Sequence, residues 1–235
     1  MYNGFTFNGK NSTDLGIFID SSYTVATAVP NVSTATIPGR AGTVLLNDSK
    51  PSSILQTIPF YVNKPPAEQT KAITQITNWL RQSVNVYHNF KLANDPGFTY
   101  LVAMTGELSF KREASDLSGE LNALFYPYKF YDEGLKEINV TNGQTLNNPG
   151  TVTALPRIAL SGSGTVTLNT FKMTGIGNGA VLDSARQSCT NLAHTEPLFN
   201  RMSGDFLTLS PGNTKITWDN SDFTVKIIPR WGVMI

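Results

Sequence analysis

Nucleophilic or metal chemistry would have to be drawn from very few residues in this sequence. Its 235 residues include one cysteine, Cys189, and two histidines, His88 and His194. A catalytic zinc usually takes three protein ligands, and only His194-Thr195-Glu196 places two potential ligands close together. Arg186 stands three residues before Cys189 and could lower its pKa, but nothing local supplies a general base, so a structural thiol is expected. A lone cysteine also excludes an intramolecular disulfide and any Cys-rich zinc module. Glu107, Glu113 and Glu120 fall on or beside adjacent predicted strands, where two of them could reach the roughly 5–9 Å separation that glycoside hydrolysis needs. Exposed carboxylates on almost any sheet would do the same. Trp218 and Trp231 could stack on a sugar, although their alternating apolar neighbours fit packing better.

Two glycine-rich stretches invite a phosphate or nucleophile reading and fail it. Gly175-Ile176-Gly177-Asn178-Gly179 has neither the spacing of a dinucleotide fingerprint nor the Gly-Lys-Ser/Thr of a P-loop. Ser161-Gly162-Ser163-Gly164 lacks the flanks of a nucleophile elbow. Both are expected to be hairpin turns, which demand Gly and Asn. The residues thus point to no catalytic residue, no metal and no cofactor. A carbohydrate-binding β-sandwich and, behind it, a sugar-active enzyme stay open beside a purely structural role.

The composition narrows the partners. Lys plus Arg number 18 against 17 Asp plus Glu, a net charge of +1, and charged residues make up only 15% of the chain where about 25% is usual. This argues against a sequence-specific nucleic-acid binder and against a polybasic membrane clamp. Threonine alone, at 27 residues, outnumbers the cations, so the polar surface is largely uncharged. The N-terminal segment lacks the pattern of a secretory signal, and no apolar run approaches the roughly 18 residues of a membrane span. A soluble protein made in the cytoplasm is expected, with too little net charge to resist self-association.

The elements that must position these residues read as strands. Short β-branched and aromatic segments are divided by Gly, Pro, Asn and Asp, the pattern of antiparallel sandwiches. Phe5-Thr6-Phe7 meets Asn8-Gly9 and should pair with Leu15–Ile19 as a first hairpin. Ile54–Val62, Tyr100–Met104, Glu107–Lys111 and Glu120–Phe125 are further strands. One helix starts at Pro65-Pro66, with Ala72, Ile73, Ile76, Trp79 and Leu80 forming one apolar stripe and Glu68, Gln69, Lys71, Thr74, Gln75 and Asn78 the polar remainder. The aromatic run at Tyr126 to Gly134 marks an exit from one core into another, which sets the domains at 1–130 and 131–235. In the second, Thr214–Trp218 should pair with Phe223–Ile228 across Asp219–Asp222, with Ile216, Trp218, Phe223, Val225 and Ile227 alternating inward. The fold class is mainly β: two sandwiches, the first carrying a single packed helix.

Taken in order, several segments resemble one family. FTFNGKNSTDLGIFI, IPGRAGTVLL, the helix ending in NWL, NDPGFTYLVAM and LFYPYKF, followed by NPGTVTALPRIALSGSG, VLDS, GDFLTLSPGNTKITW and VKIIPRW, are similar to the distal tail (Dit) proteins of long, non-contractile phage tails. The resemblance implies a structural virion protein at the tail tip or baseplate and no enzyme. Its N-terminal domain would close into a homo-hexameric ring, and its C-terminal domain would be galectin-like and point outward. The implied partners are the tail-tube protein on one side, the tail-associated hub or lysin on the other, and receptor-binding proteins in some phages, with DNA passing through the centre. A C-terminal half of only about 105 residues leaves no room for a long receptor-gripping arm. Ile37, Gly39, Arg40 and Gly42 are the candidate ring contact, because Gly permits close backbone approach and Arg offers a directed fork of donors.

Overall fold

The computed structural model describes residues 4–20 and 22–235. It is mainly β, with one α-helix among the described residues. By compactness the chain divides into Met1–Lys129 with Met234–Ile235, and Phe130–Val233.

The first unit contains β1 (Phe5–Phe7), β2 (Lys10–Asn11), β3 (Ile17–Ile19), β4 (Pro30–Thr36), β5 (Thr43–Pro51), β6 (Ile54–Val62), helix α1 (Pro66–Leu80), β7 (His88–Leu92), β8 (Phe98–Ala103), β9 (Leu108–Glu113) and β10 (Asp116–Tyr131). Its main sheet runs β2-β1-β7-β8-β10-β6-β3, with β9 also paired to β10. Strand β6 shows why the sheet has an inside: Ile54, Gln56, Ile58, Phe60 and Val62 alternate inward while Leu55 and Thr57 face out. Asn8 and Gly9, at φ 48° and 78°, make the tight turn their sequence demands. The partner across that turn is not Leu15–Ile19, however. β1 pairs with short β2, and β3 crosses to the far edge to pair with β6. Ser12 makes this detour possible, because its buried hydroxyl accepts from Phe5 N (2.9 Å) and donates to Ile17 O (3.0 Å).

Helix α1 starts with Pro66 in its first turn, where a missing N–H costs nothing. Ala72, Ile76, Trp79 and Leu80 are buried, each large one worth about 1.5–3 kcal/mol. Trp79 stacks on Phe5 at 5.7 Å and meets Phe7 edge-on at 6.0 Å. Gln69, expected on the solvated side, is buried and donates to Ser115 O at 2.8 Å. A polar side chain can sit on the packed face when a backbone acceptor waits there.

The second unit contains β11 (Ile138–Val140), β12 (Thr145–Asn148), β13 (Arg157–Ser161), β14 (Gly164–Leu168), β15 (Phe171–Ile176), β16 (Gly179–Asp183), β17 (Ser188–Thr190), β18 (Met202–Gly204), β19 (Gly212–Lys215) and β20 (Thr224–Ile228); β21 (Gly232–Met234) follows at the chain end. One sheet runs β11-β20-β13-β16-β17 and another β14-β15-β18, with β12 paired to β19. Residues 216–219 carry the β19 segment onto β14: Asn169 N donates to Thr217 O, Asp219 N donates to Thr167 O, and Leu168 bridges Trp218. Ile158, Leu160, Leu168, Met173, Ile216, Val225 and Ile227 fill the core between the layers.

Three expected hairpins in this unit are not hairpins. Thr214–Trp218 and Phe223–Ile228 belong to different sheets, so Asp219–Asp222 crosses from layer to layer. Gly175–Gly179 joins β15 to β16, and Ser161–Gly164 joins β13 to β14, again between sheets. The inward alternation of Ile216, Phe223, Val225 and Ile227 is as expected. Alternation sets which side of a strand is buried and leaves its hydrogen-bonding partner open.

Candidate functional site

Strands β4 and β5 form a two-stranded sheet of their own. Thr34 opposes Leu45 and Ser33 opposes Leu46, so the adjacent leucines point to opposite faces of the ribbon. Both are bare: Leu45 is 69% exposed and Leu46 53%, with Val32 at 44%. A lone two-stranded hairpin is marginal in water, and this one keeps apolar side chains on both faces.

The candidate ring contact occupies the tip of this arm. Arg40 N donates to Ile37 O at 3.1 Å, with Pro38 next and Gly39 at φ 83°. That is the type II turn Pro-Gly prefers. Gly42 is also at φ 83°, and a Cβ on either glycine would meet nothing within 4 Å. Ile37 is 45% exposed. The four residues thus share one projecting turn that meets no other part of the chain closely at its glycines.

The residues weighed for chemistry are dispersed or occupied. Cys189 is fully buried with Met173 Sδ 3.9 Å from its sulfur, and burial pushes its thiol up to about 11. Arg186 instead donates its backbone N–H to Asp183 (3.1 Å). His194 is hydrogen-bonded to Arg157 Nη2 (3.2 Å) and Thr190 Oγ1 (3.1 Å), while His88 meets Phe7 edge-on at 5.2 Å. No group of three His, Cys, Asp or Glu fit for a metal occurs among the described residues. Glu107, Glu113 and Glu120 are all exposed, and Glu113 pairs with Lys111. Trp218 and Trp231 are both partly buried against the C-terminal core, as their apolar neighbours led one to expect, and the Trp231 indole nitrogen is buried. No helix among the described residues is long and apolar enough to cross a membrane.

Some structural residues were not legible in advance. Gln56 faces the core from β6 and substitutes for a strand: it accepts from Ala26 N (2.8 Å) and donates to Thr24 O (2.7 Å) and Thr57 O (2.9 Å). This holds the segment before the arm over the sheet. Lys129 reaches Asp95 at 2.6 Å while lying 4.1 Å over the Phe98 ring, and Tyr100 hydrogen-bonds to the same carboxylate. Burial, and then Asp95, raise the Tyr100 phenol well above its ordinary range, so it stays a donor. For the arm there was a signal. Consecutive Leu45-Leu46 breaks the alternation of a one-sided strand.

No protein-family model and no curated protein matches the sequence. The fold does have neighbours. The Dit protein of phage SPP1, described as a paradigm of the hub adsorption apparatus in phages infecting Gram-positive hosts, superposes with a TM-score of 0.72 at 14% identity, covering 96% of this chain and 97% of that one. A chain of the phage p2 baseplate, in its activated conformation with Sr, matches with a TM-score of 0.50 at 8% identity over the same shares. From end to end, the fold of this chain is that of a Dit hub protein.

Proposed function

We propose that the chain is a distal tail protein, a structural subunit of a phage tail tip that closes into a ring through its N-terminal unit. The observation that carries this reading is the β4–β5 arm, whose exposed Val32, Leu45 and Leu46 need a surface that a second subunit would supply. Contacts of this head-to-tail kind close into a ring when the rotation per subunit permits it, and six copies is the number the family resemblance favours. Ile37, Gly39, Arg40 and Gly42, at the arm's tip, would touch the neighbouring copy.

The ring would sit in the virion between the tail-tube protein and a hub or lysin protein, and in some settings would also carry receptor-binding proteins. DNA would pass through the bore, where a net charge of +1 favours passage over the salt-dependent adhesion of a basic surface. The C-terminal unit would face outward as a galectin-like sandwich. No catalytic step, membrane contact or sequence-specific nucleic-acid contact belongs to this role. The test is the size of the purified chain by light scattering and electron microscopy, alone and with its tube and hub proteins. Rings of six are expected. A strictly monomeric species under all those conditions overturns the reading.

A further inference from the structure

Both tryptophans of the C-terminal unit are partly buried and pack against its core. Trp218 also lines an open depression of about 360 Å³ together with Thr167, Asn169, Thr217 and Asp219. The backbone beneath it is pinned from three sides. Asn142 donates to Trp218 O at 2.6 Å and accepts from Trp218 N at 3.1 Å. Asn169 donates to Lys215 O at 2.8 Å and accepts from Thr217 N at 2.9 Å. Asp219 accepts from Thr167 N at 2.7 Å.

The chemistry of the lining selects a ligand. An indole face is apolar and electron-rich, and it suits the C–H face of a pyranose. Beside it, the Thr167 backbone N–H and hydroxyl, with Lys172 nearby, hold the Asp219 carboxyl below the usual carboxylate range. It is therefore an acceptor at neutral pH, with lone pairs left for sugar hydroxyls. The same charge disfavours phosphates and other anions. We propose that Trp218 and Asp219 form a saccharide-binding subsite for a neutral hexopyranose, Trp218 as the stacking platform and Asp219 as the hydroxyl acceptor. A shallow site with one aromatic binds weakly, on the order of millimolar. Several copies in one assembly would act together on a polysaccharide through effective concentration.

The test uses the full chain labelled with ¹⁵N at its tryptophan indoles and titrated with methyl glycosides of glucose, galactose and N-acetylglucosamine. The expected result is that at least one glycoside saturably shifts the Trp218 indole signal and leaves those of Trp79 and Trp231 in place. Trp218→Ala should abolish binding seen by saturation-transfer NMR, Trp218→Phe should retain a weakened part of it, and Asp219→Asn should weaken it roughly tenfold. The phenylalanine variant keeps an aromatic ring should the alanine variant fail to fold. The proposal is overturned if no glycoside moves the Trp218 signal, if binding persists unchanged in Trp218→Phe and Asp219→Asn, or if glucose 6-phosphate moves that signal more strongly than methyl glucoside.

Discussion

The β4–β5 arm and the C-terminal unit are made of the same material, short Thr- and Val-rich strands joined at Gly, Pro and Asn. In the arm the chain turns back on itself and pairs locally, yet its apolar side chains stay bare. In the C-terminal unit the turns at Ser161–Gly164, Gly175–Gly179 and Asp219–Asp222 lead from one sheet to the other, and the side chains between are fully buried. Local pairing and burial are separable. The C-terminal unit holds its structure by packing, and the arm has hydrogen bonds without a core, which suits a segment reserved for another molecule.

The largest contrast should come from two leucines. Leu168 is fully buried, so Leu168→Ala should cost about 2–5 kcal/mol. Leu45→Ala should change the stability of the unassembled chain by less than about 0.5 kcal/mol, while shifting ring formation to higher protein concentration. Urea unfolding of dilute protein, beside light scattering of concentrated protein, measures both. Equal destabilisation by the two changes would mean the arm packs on its own chain, and the comparison would fail.

Ion pairs sharpen the contrast at intermediate size. Arg230 grips Asp183 with both ends of its guanidinium, at 2.6 and 2.8 Å, and both side chains are largely buried. Burial pushes the Asp183 carboxyl up, but Arg230 and the Arg186 N–H outweigh it and the net shift is downward. A carboxyl lowered in the folded state contributes stability that is fully present above its ordinary value and lost as pH falls through the folded value. Arg230→Met should therefore cost about 2–3 kcal/mol at neutral pH. It should also flatten the loss of stability on acidification, as read from unfolding midpoints across pH. Lys111→Gln, which removes the exposed partner of Glu113 in the first unit, should leave the unfolding midpoint where it is.

How much of this was legible in the sequence follows the same division. Strand β6 and helix α1 could be read almost to the residue, because their alternating and helical periods report burial, and burial is what periodicity measures. The Asn8-Gly9 turn was legible because only one turn class wants those residues. Pairing partners were not. Leu15–Ile19 and Thr214–Trp218 were given to sequence neighbours, whereas a buried Ser12 bridge and the Asn142, Asn169 and Asp219 clamps send them elsewhere. Those are polar contacts between segments far apart in sequence, and no local window contains both partners. At the candidate site, Ile37, Gly39, Arg40 and Gly42 could be placed on a turn from Pro38-Gly39 alone. The bare leucines that give the arm its interest had a signal in the consecutive Leu45-Leu46, but that pair shows two apolar faces and not that both stay uncovered.

The smallest expected effect lies at the arm's tip and tests whether its shape matters apart from its apolar sides. Gly39 stands at φ 83° with open space around it, so alanine there meets no neighbour and costs only the left-handed backbone, about 1 kcal/mol. Nothing in the folded core depends on that turn, so the unfolding midpoint of Gly39→Ala should barely move if the arm melts independently of the core. If the Ile37–Gly42 turn is pressed against a neighbouring subunit, the strain should instead appear as a roughly fivefold shift of ring formation to higher protein concentration. Light scattering across a dilution series measures it. An unchanged midpoint together with unchanged assembly would place the contact along the leucine faces of the arm and remove its tip from the interface.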